Sequence, residues 1–350
     1  MNLPGNSSRN DQPESASEED AGWRKAFEQT IKSYAEAESS GRHDEAQAVA
    51  LQALMMAAEE AERNPTPDLL LIADAERCEV AGDWAGAEAA RRKVLALRES
   101  ELAQADARSE RAGDSTAAQP DDERWRAFGL IAKAHADLSA LQKRWGRLDD
   151  AWNSARAATA AARRANLWPL LHLTLQNETA CALDRGDVAS ALAAASEDVR
   201  QIEPGALHDS MRARALLARG RCLVASGDLA AAEQDLAASW ELLEPRSHSA
   251  FLAGVQRTIA RWWETTARLR ARKGDGSGAV AAWRQAVEKR REVAALPQVE
   301  TPSSLDALAS ALKEFSEALS QAGDLDAAGA ALAEAETIRG NAGLPPKSAV

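Results

Sequence analysis

A short turn motif recurs seven times along the chain, and this repetition constrains the fold more than any other feature. The motif reads GDLAAA at Gly227. Its other copies, GRHDEA, GDWAGA, GRLDDA, GDVASA, GDGSGA and GDLDAA, begin at Gly41, Gly82, Gly146, Gly186, Gly274 and Gly323. Successive copies lie 41, 64, 40, 41, 47 and 49 residues apart. Such a period is typical of a solenoid, in which each unit buries its apolar face only against its neighbours.

The stretch 213–245 shows what one unit contains. Leu216 and Leu223 belong to an apolar stripe with helical spacing, which predicts a first helix before the turn. Gly227 stands where that helix must end, because glycine adopts the left-handed conformation without a side-chain penalty. Asp228 follows, where a carboxylate accepts the free amide hydrogens at the start of a second helix. Each unit is therefore predicted to be a hairpin of two antiparallel helices.

Two further sequence positions keep the same register in the repeats. The residue five places after each turn glycine is alanine in all seven copies. The residue seven places before it is small in six copies, Tyr34 being the exception: Ala75, Ser139, Thr179, Gly220, Ala267 and Ser316. Small residues at two fixed positions predict that the two helix axes of each hairpin approach closely there.

These positions resemble those of the tetratricopeptide repeat (TPR) family. The matching residues in one copy are Gly220, Gly227, Ala232 and Pro245, and the resemblance covers roughly residues 23–344. It implies an all-α fold, a right-handed α-solenoid of about seven TPR-like helical hairpins. The intervals of 40 residues or more exceed the family unit of about 34 residues, so the chain resembles a longer-period, alanine-rich variant.

The repeats predict one long domain with short flanking segments. The solenoid is expected over residues 23–340. Residues 1–22 are polar and acidic and are expected to be disordered, as is the tail 341–350. The interval before Gly146 has a surplus of about 23 residues, which predicts a helix that overruns the stack and then an insertion or loop at about 104–121. That insertion is either inert or a partner-contact element.

Composition excludes several classes of function. A net charge of -12 argues against a general nucleic-acid or anionic-membrane binder, since both need a basic face. No apolar run is long enough to span a membrane, and the amino terminus lacks the apolar core of a secretory signal. The abundance of alanine, and of arginine over lysine, indicates a bacterial source. We expect a cytoplasmic protein.

Catalytic and metal-binding motifs are missing from the sequence. There is no HExxH, phosphate loop or nucleophile elbow, and no two histidines have metal-ligand spacing. Cys78, Cys181 and Cys222 fall within first helices, where we expect buried apolar side chains rather than a disulfide or zinc site. We therefore expect no enzyme activity, no cofactor and no metal. Trp84 lies just after a turn and is a candidate exposed contact residue.

The TPR resemblance implies that the first helices line a concave groove, with contact positions 13, 10, 6, 3 and 2 residues before each turn glycine. In copies three to six, eight of these twenty positions are basic and two are acidic. In copies one, two and seven the charged residues at the same positions are five glutamates and one lysine. The candidate partner-binding residues, including one polar neighbour of Gln176, are Lys133, Lys143, Arg144, Gln176, Asn177, Arg214, Arg221, Arg261, Arg268 and Arg272.

This charge pattern predicts a scaffold or adaptor whose groove of repeats 3–6 binds an acidic segment or terminal carboxylate of a partner protein. The simpler interpretation is that these side chains are solvated and paired within their own helices. Two other functions remain open from the sequence. One is a sensor or regulatory subunit of a bacterial signalling or defence system that acts on a separate effector. The other is an enzyme whose site forms when the solenoid closes.

Overall fold

The computed structural model describes residues 66–112, 122–202, 209–246, 253–296 and 302–342, together with four isolated helical positions before them. The chain divides into two compact units, Met1–Leu70 and Leu71–Val350, and nearly all of the described residues belong to the second. The first predicted hairpin, the amino-terminal segment 1–22 and most of the tail 341–350 lie outside the described residues. The predicted domain limits at residues 23 and 340 stay predictions.

The described ranges contain twelve α-helices, one short 3-10 turn and no strand. In chain order the helices are α1 Pro67–Val80, α2 Trp84–Ala112, α3 Asp122–Arg144, α4 Leu148–Ala165, α5 Trp168–Asp184, α6 Val188–Gln201, α7 Asp209–Ser226, α8 Leu229–Leu243, α9 Ala253–Arg272, α10 Gly276–Ala294, α11 Pro302–Gln321 and α12 Leu325–Asn341. Odd-numbered helices are the first helices of the hairpins, and even-numbered helices are the second. The predicted all-α solenoid of helical hairpins is confirmed.

The turns between paired helices follow directly from the repeated motif. All six described turn glycines have positive φ angles, between 74° and 91°, the left-handed region that glycine occupies most easily. In five turns the next aspartate accepts a hydrogen bond from the backbone N–H three residues later, at 2.8–3.2 Å. The sixth turn has Arg147 instead, which forms no such cap and pairs with Glu88 and Asp150.

The two small-residue positions meet inside the hairpins. The hydroxyl of Ser139 donates to the carbonyl oxygen of Ala151 at 2.7 Å, and Ser316 donates to the carbonyl oxygen of Ala328 at 2.8 Å. Both alanines are fully or almost fully buried. The close approach of helix axes predicted from the sequence is therefore fixed by a hydrogen bond from a side chain to the facing backbone.

First helices pack on one another as well as on their own partners. Contacts join α3 to α5, α5 to α7 and α7 to α9. Second helices pack against the first helix of the following hairpin, as in the pairs α4–α5, α6–α7 and α10–α11. The first helices α3, α5, α7 and α9 therefore form one layer, which brings equivalent sequence positions of neighbouring repeats side by side.

Helix α2 is longer than the other described helices and extends past residue 104, where the insertion or loop was predicted to begin. Residues 104–112, expected to begin an insertion or loop, are helical, and residues 113–121 lie outside the described ranges. Leu102 packs on the cluster that contains Ile131 and Leu175. Asp106 forms an ion pair with Arg124 of α3 at 2.8 Å. The added turns of α2 extend along α3 because α3 is itself 23 residues long. No helix in the described part is long and apolar enough to cross a membrane.

Candidate partner-binding groove

Three consecutive first helices surround a small polar pocket at the centre of the layer. Gln176 comes from α5, Arg214 and Arg221 from α7, and Thr258 and Arg261 from α9; Leu217 and Ala218 complete the lining. Arg214 and Arg261 occupy the same position of adjacent repeats, 13 residues before the turn glycine. The enclosed space is about 10 Å³, which is room for one water-sized group. We call this the arginine pocket.

The three arginines of the pocket have no carboxylate partner. Across the ranges that the structure describes, no acidic oxygen lies within ion-pair distance of Arg214, Arg221 or Arg261, and none of their guanidinium groups makes a hydrogen bond. Arg214 and Arg221 are half-buried, whereas Arg261 is exposed. Because five N–H donors on each guanidinium remain free of protein acceptors, the pocket presents a dense array of charged donors.

The surroundings of these arginines disfavour their positive charge. Burial lowers the pKa of Arg214, against the opposing effect of Asp198. Burial also lowers the pKa of Arg221, and the nearby charge of Arg268 lowers it further. Both groups nevertheless stay protonated at neutral pH, because arginine begins from a very high pKa.

Arg261 shows the strongest effect of this crowding. Its pKa is lowered to about 10. The main cause is burial among the surrounding helices, and the positive charges of Arg221 and Arg290 lower the pKa further. The side chain still contacts solvent. It remains protonated at neutral pH. The pocket is therefore a cluster of positive charges that repel one another, and an anion placed there would relieve the repulsion.

The carboxylates nearest to the pocket are committed to other partners. Glu264 accepts from Arg290 at 2.7 Å in a mostly buried pair. Burial raises the pKa of Glu264, but Arg290, Arg268 and Arg221 together bring it below its ordinary value. Asp198 is fully buried, with Nδ1 of His172 at 2.8 Å and Nε2 of Gln176 at 2.5 Å. Gln176, predicted to contact a partner, therefore holds Asp198 beside the pocket.

Most of the other predicted groove cations are paired. Four form ion pairs with N–O distances of 2.5–2.9 Å: Lys133 with Asp137, Lys143 with Asp184, Arg144 with Glu79 and Arg268 with Glu314. Three of these pairs join neighbouring repeats, and the Arg268 pair uses both guanidinium branches. Ion pairs of this kind are already neutralised, so these cations are less available to a partner than those of the arginine pocket.

Arg272 and Asn177 also make contacts within the chain. Arg272 donates to the carbonyl oxygen of Ala225 at 3.2 Å. The side-chain nitrogen of Asn177 is buried and has no acceptor within the described residues, while its oxygen lies 3.9 Å from the thiol of Cys181. The structure thus gathers Arg214, Arg221, Arg261 and Gln176 in one place and distributes the remaining predicted residues over contacts between repeats.

Thr258 is a pocket residue that the sequence analysis missed. It lies one helical turn before Arg261 on α9 and donates to the carbonyl oxygen of Gly254 at 2.8 Å. The counting of contact positions stopped 13 residues before the turn glycine, whereas Thr258 lies 16 before it. Continuing the helical period by one turn is the signal that would have identified it.

The cysteines and Trp84 do not add a second site. Cys181 and Cys222 are buried. Burial raises the pKa of both thiols, that of Cys222 to about 11, so both are protonated at neutral pH. No group of potential ligands for a metal ion occurs in the part of the chain that is described. Trp84 is half-buried rather than fully exposed. A wider depression of about 520 Å³ on α11 and α12 is lined by one cation, Lys313, and one anion, Glu317, and does not concentrate charge of one sign.

Comparisons with known proteins show likeness in structure only. No protein-family model matches the chain, and no curated protein matches it in sequence. The crystal structure of BtubC (BKLC) from P. vanneervenii is 16% identical, with a TM-score of 0.48, and the match covers 74% of this chain and 96% of that one. The Rap protein complexed with Competence and Sporulation Factor is 11% identical, with a TM-score of 0.42 and coverage of 91% and 99%. The described part of the chain is an all-α array of helical hairpins.

Proposed function

We propose that this chain is a non-catalytic scaffold or adaptor that binds an acidic segment of a partner protein along the first helices of repeats 3–6. The arginine pocket is the centre of the binding surface, with Arg214, Arg221 and Arg261 as the residues that engage the partner. The setting we propose is the bacterial cytoplasm, and the partner is a protein rather than a nucleic acid or a membrane.

This proposal is supported by the distribution of ion pairs between neighbouring first helices, because these pairs are missing in the middle of the described layer. Arg144 pairs with Glu79 between α3 and α1, Lys143 with Asp184 between α3 and α5, and Arg268 with Glu314 between α9 and α11. Throughout the described ranges, no ion pair joins α5 to α7 or α7 to α9, and these are the helices that carry the unpaired arginines. An acidic partner segment supplies the negative charges that are missing at these two junctions.

The chemistry of arginine suits such a partner. Its planar guanidinium offers parallel N–H donors that match the two oxygens of a carboxylate. Leu217 and Ala218 lie between the arginines in the pocket lining and provide apolar surface for the body of an extended segment. Charge complementarity of this kind raises the association rate and the selectivity for acidic partners.

Binding of fluorescein-labelled peptides rich in Asp and Glu, measured by fluorescence anisotropy, tests the proposal. Arg221→Glu is expected to weaken binding by roughly tenfold or more, because it removes a cation and adds an opposing charge at the centre of the pocket. The matched control is Arg284→Glu, which makes the same charge change at an exposed position on α10. Circular dichroism shows whether each variant remains folded. Equal affinities for wild type and the Arg221 variant would contradict the proposal.

A further inference from the structure

We infer that the arginine pocket recognises the phosphate group of a phosphorylated residue in the partner segment. The inference rests on the proposed function and specifies the chemical group that the segment brings to the pocket.

The number of charges in the pocket exceeds what one carboxylate can balance. Arg214, Arg221 and Arg261 together carry three positive charges. The charge of Asp198 acts on Arg214 and offsets part of this excess, whereas Glu264 is paired with Arg290. A single carboxylate has one charge and two oxygens, and one guanidinium satisfies it fully, as Arg268 does for Glu314 with two hydrogen bonds of 2.8 and 2.5 Å. A side-chain or terminal carboxylate would leave two of the three arginines unpaired.

A phosphate monoester fits the donor set better. At neutral pH it carries a charge of about -1.5 to -2 and has three strong acceptor oxygens. The pocket lining has three guanidinium groups, two from α7 and one from α9, so a phosphate offers one acceptor oxygen for each of them. Recognition of phosphorylated segments by arginine clusters is a recurring mode of peptide binding.

The dimensions and the lining of the pocket also favour a compact anion. Its enclosed part has room for one oxygen-sized group, and Arg261 is exposed at its rim. Of the remaining lining, Gln176 already donates to Asp198, and Ala218, Leu217 and Thr258 are short or apolar. The hydroxyl of Thr258 already donates to the backbone of its own helix. The pocket therefore offers arginine donors to the anion and contains no free acidic acceptor that would repel it.

Three peptide pools with identical randomised flanks test this inference. The central residue is phosphoserine in one pool, glutamate in the second and serine in the third. Anisotropy titrations use the wild-type chain, Arg221→Gln and the control Arg284→Gln. We expect the phosphoserine pool to bind roughly tenfold more tightly than the glutamate pool. Arg221→Gln is expected to abolish that difference, and Arg284→Gln to preserve it.

The other outcomes separate the inference from the proposed function. If glutamate peptides bind as tightly as phosphoserine peptides and both depend on Arg221, the phosphate inference fails and the acidic-segment proposal stands. If no pool depends on Arg221, both fail. A competition experiment, in which inorganic phosphate is added to the bound phosphoserine pool, shows whether the pocket prefers a phosphorylated segment to free phosphate. Displacement of the phosphoserine pool by an equal concentration of inorganic phosphate would overturn recognition of a phosphorylated protein segment.

Discussion

Arg261 keeps its charge at neutral pH although the folded state disfavours it. Burial and the charges of Arg221 and Arg290 lower its pKa to about 10 in the fold. A cation whose pKa is lowered by folding makes the folded state less stable at every pH below that folded pKa. The free energy of unfolding regains this loss only as the pH rises from about 10 through the higher pKa of the unfolded state. At neutral pH the whole unfavourable contribution is present.

Replacing this arginine with a neutral residue should therefore stabilise the free protein. We expect Arg261→Gln to raise the free energy of unfolding at pH 7 by about 0.5–1 kcal/mol, a modest value because the side chain is partly screened by solvent. The same variant should bind acidic peptides more weakly. Urea denaturation measures the stability, with Arg284→Gln as the control for loss of a surface charge. A less stable Arg261→Gln protein would contradict this account of the pocket.

Removing a charge from the neighbouring Glu264–Arg290 pair should instead destabilise the protein. Both side chains are largely buried, and their N–O distance is 2.7 Å. Glu264→Gln leaves Arg290 as an uncompensated buried charge, so we expect a loss of roughly 3 kcal/mol or more in the free energy of unfolding. Glu233→Gln breaks the exposed pair with Lys273 and should cost less than about 1 kcal/mol. Similar losses for the two variants in urea denaturation would argue against this difference.

Acid should remove the stabilisation that Glu264 provides. The pKa of Glu264 is lowered in the fold, so its contribution is complete above the unfolded value of about 4.5 and is lost as the pH falls through the folded value. The difference in stability between wild type and Glu264→Gln should therefore shrink below about pH 4.5. Denaturation curves recorded at several pH values measure it.

The positions of the pocket arginines could be predicted from the sequence, but their lack of carboxylate partners could not. Counting back from Gly227 and Gly274 placed Arg214, Arg221 and Arg261 among the contact positions, because register within a repeat follows from local helix geometry. Which cations are neutralised depends on distances between repeats. Arg268 meets Glu314 on the next hairpin, and no spacing within one repeat predicts that contact.

At the scale of single elements, glycines have two different roles, one in the turns between helices and one inside a helix. The glycines at the turns have positive φ angles, whereas Gly220 lies inside α7, where the backbone is helical. A Cβ atom built on Gly220 would meet the side chain of Leu236 at 3.5 Å, which is ordinary van der Waals contact. A Cβ on Gly227 would meet nothing, but its φ of 91° is unfavourable for any other residue.

These two glycines should therefore respond in opposite directions to the same substitution. Gly220→Ala should stabilise the protein by about 0.5–1 kcal/mol, because alanine loses less conformational entropy in a helix. Gly227→Ala should destabilise it by about 1 kcal/mol or more, because alanine is strained in the left-handed region. Thermal or urea unfolding of both variants measures the difference. If Gly220→Ala is the less stable of the two, the helices approach more closely than the structure indicates.

The starts of the second helices were easier to predict than the end of α2. The repeated turn motif marks every described hairpin, since a glycine and an aspartate together end one helix and start the next. The sequence of residues 104–112 is helix-forming, and the second helix was predicted to overrun the stack, but no residue in it marks where that helix ends. Its helix is supported by Ala105, which is buried, and by the ion pair between Asp106 and Arg124. That support depends on the length of α3, so the sequence of residues 104–112 alone could not reveal it.

At the scale of the whole described unit, ion pairs connect consecutive repeats on both layers of helices. Arg163 pairs with Glu197 between second helices α4 and α6, and Arg291 with Glu334 between α10 and α12. These pairs are partly exposed, so each contributes little to stability. The unpaired arginines of the central pocket, by contrast, depend on an outside anion for neutralisation. Salt should therefore affect binding more than folding.

Raising the NaCl concentration from about 0.05 M to about 0.5 M tests this difference, because the screening length falls several-fold over that range. We expect the affinity for acidic peptides to fall roughly tenfold or more. The urea midpoint of unfolding should change little. Anisotropy titrations and urea curves in the same buffers give both quantities, and a salt-independent affinity would indicate that apolar contacts dominate binding.

The hydroxyl-to-carbonyl contacts within the hairpins affect how mutational scans of this protein should be interpreted. Ser139 and Ala151 hold α3 and α4 at a fixed separation, and α3 in turn packs on α5. Enlarging either residue would shift one helix, and each later hairpin would inherit the displacement. A substitution at such a buried position can therefore abolish recognition without touching the partner. Only variants at solvent-facing positions that leave helix separation unchanged identify direct contacts.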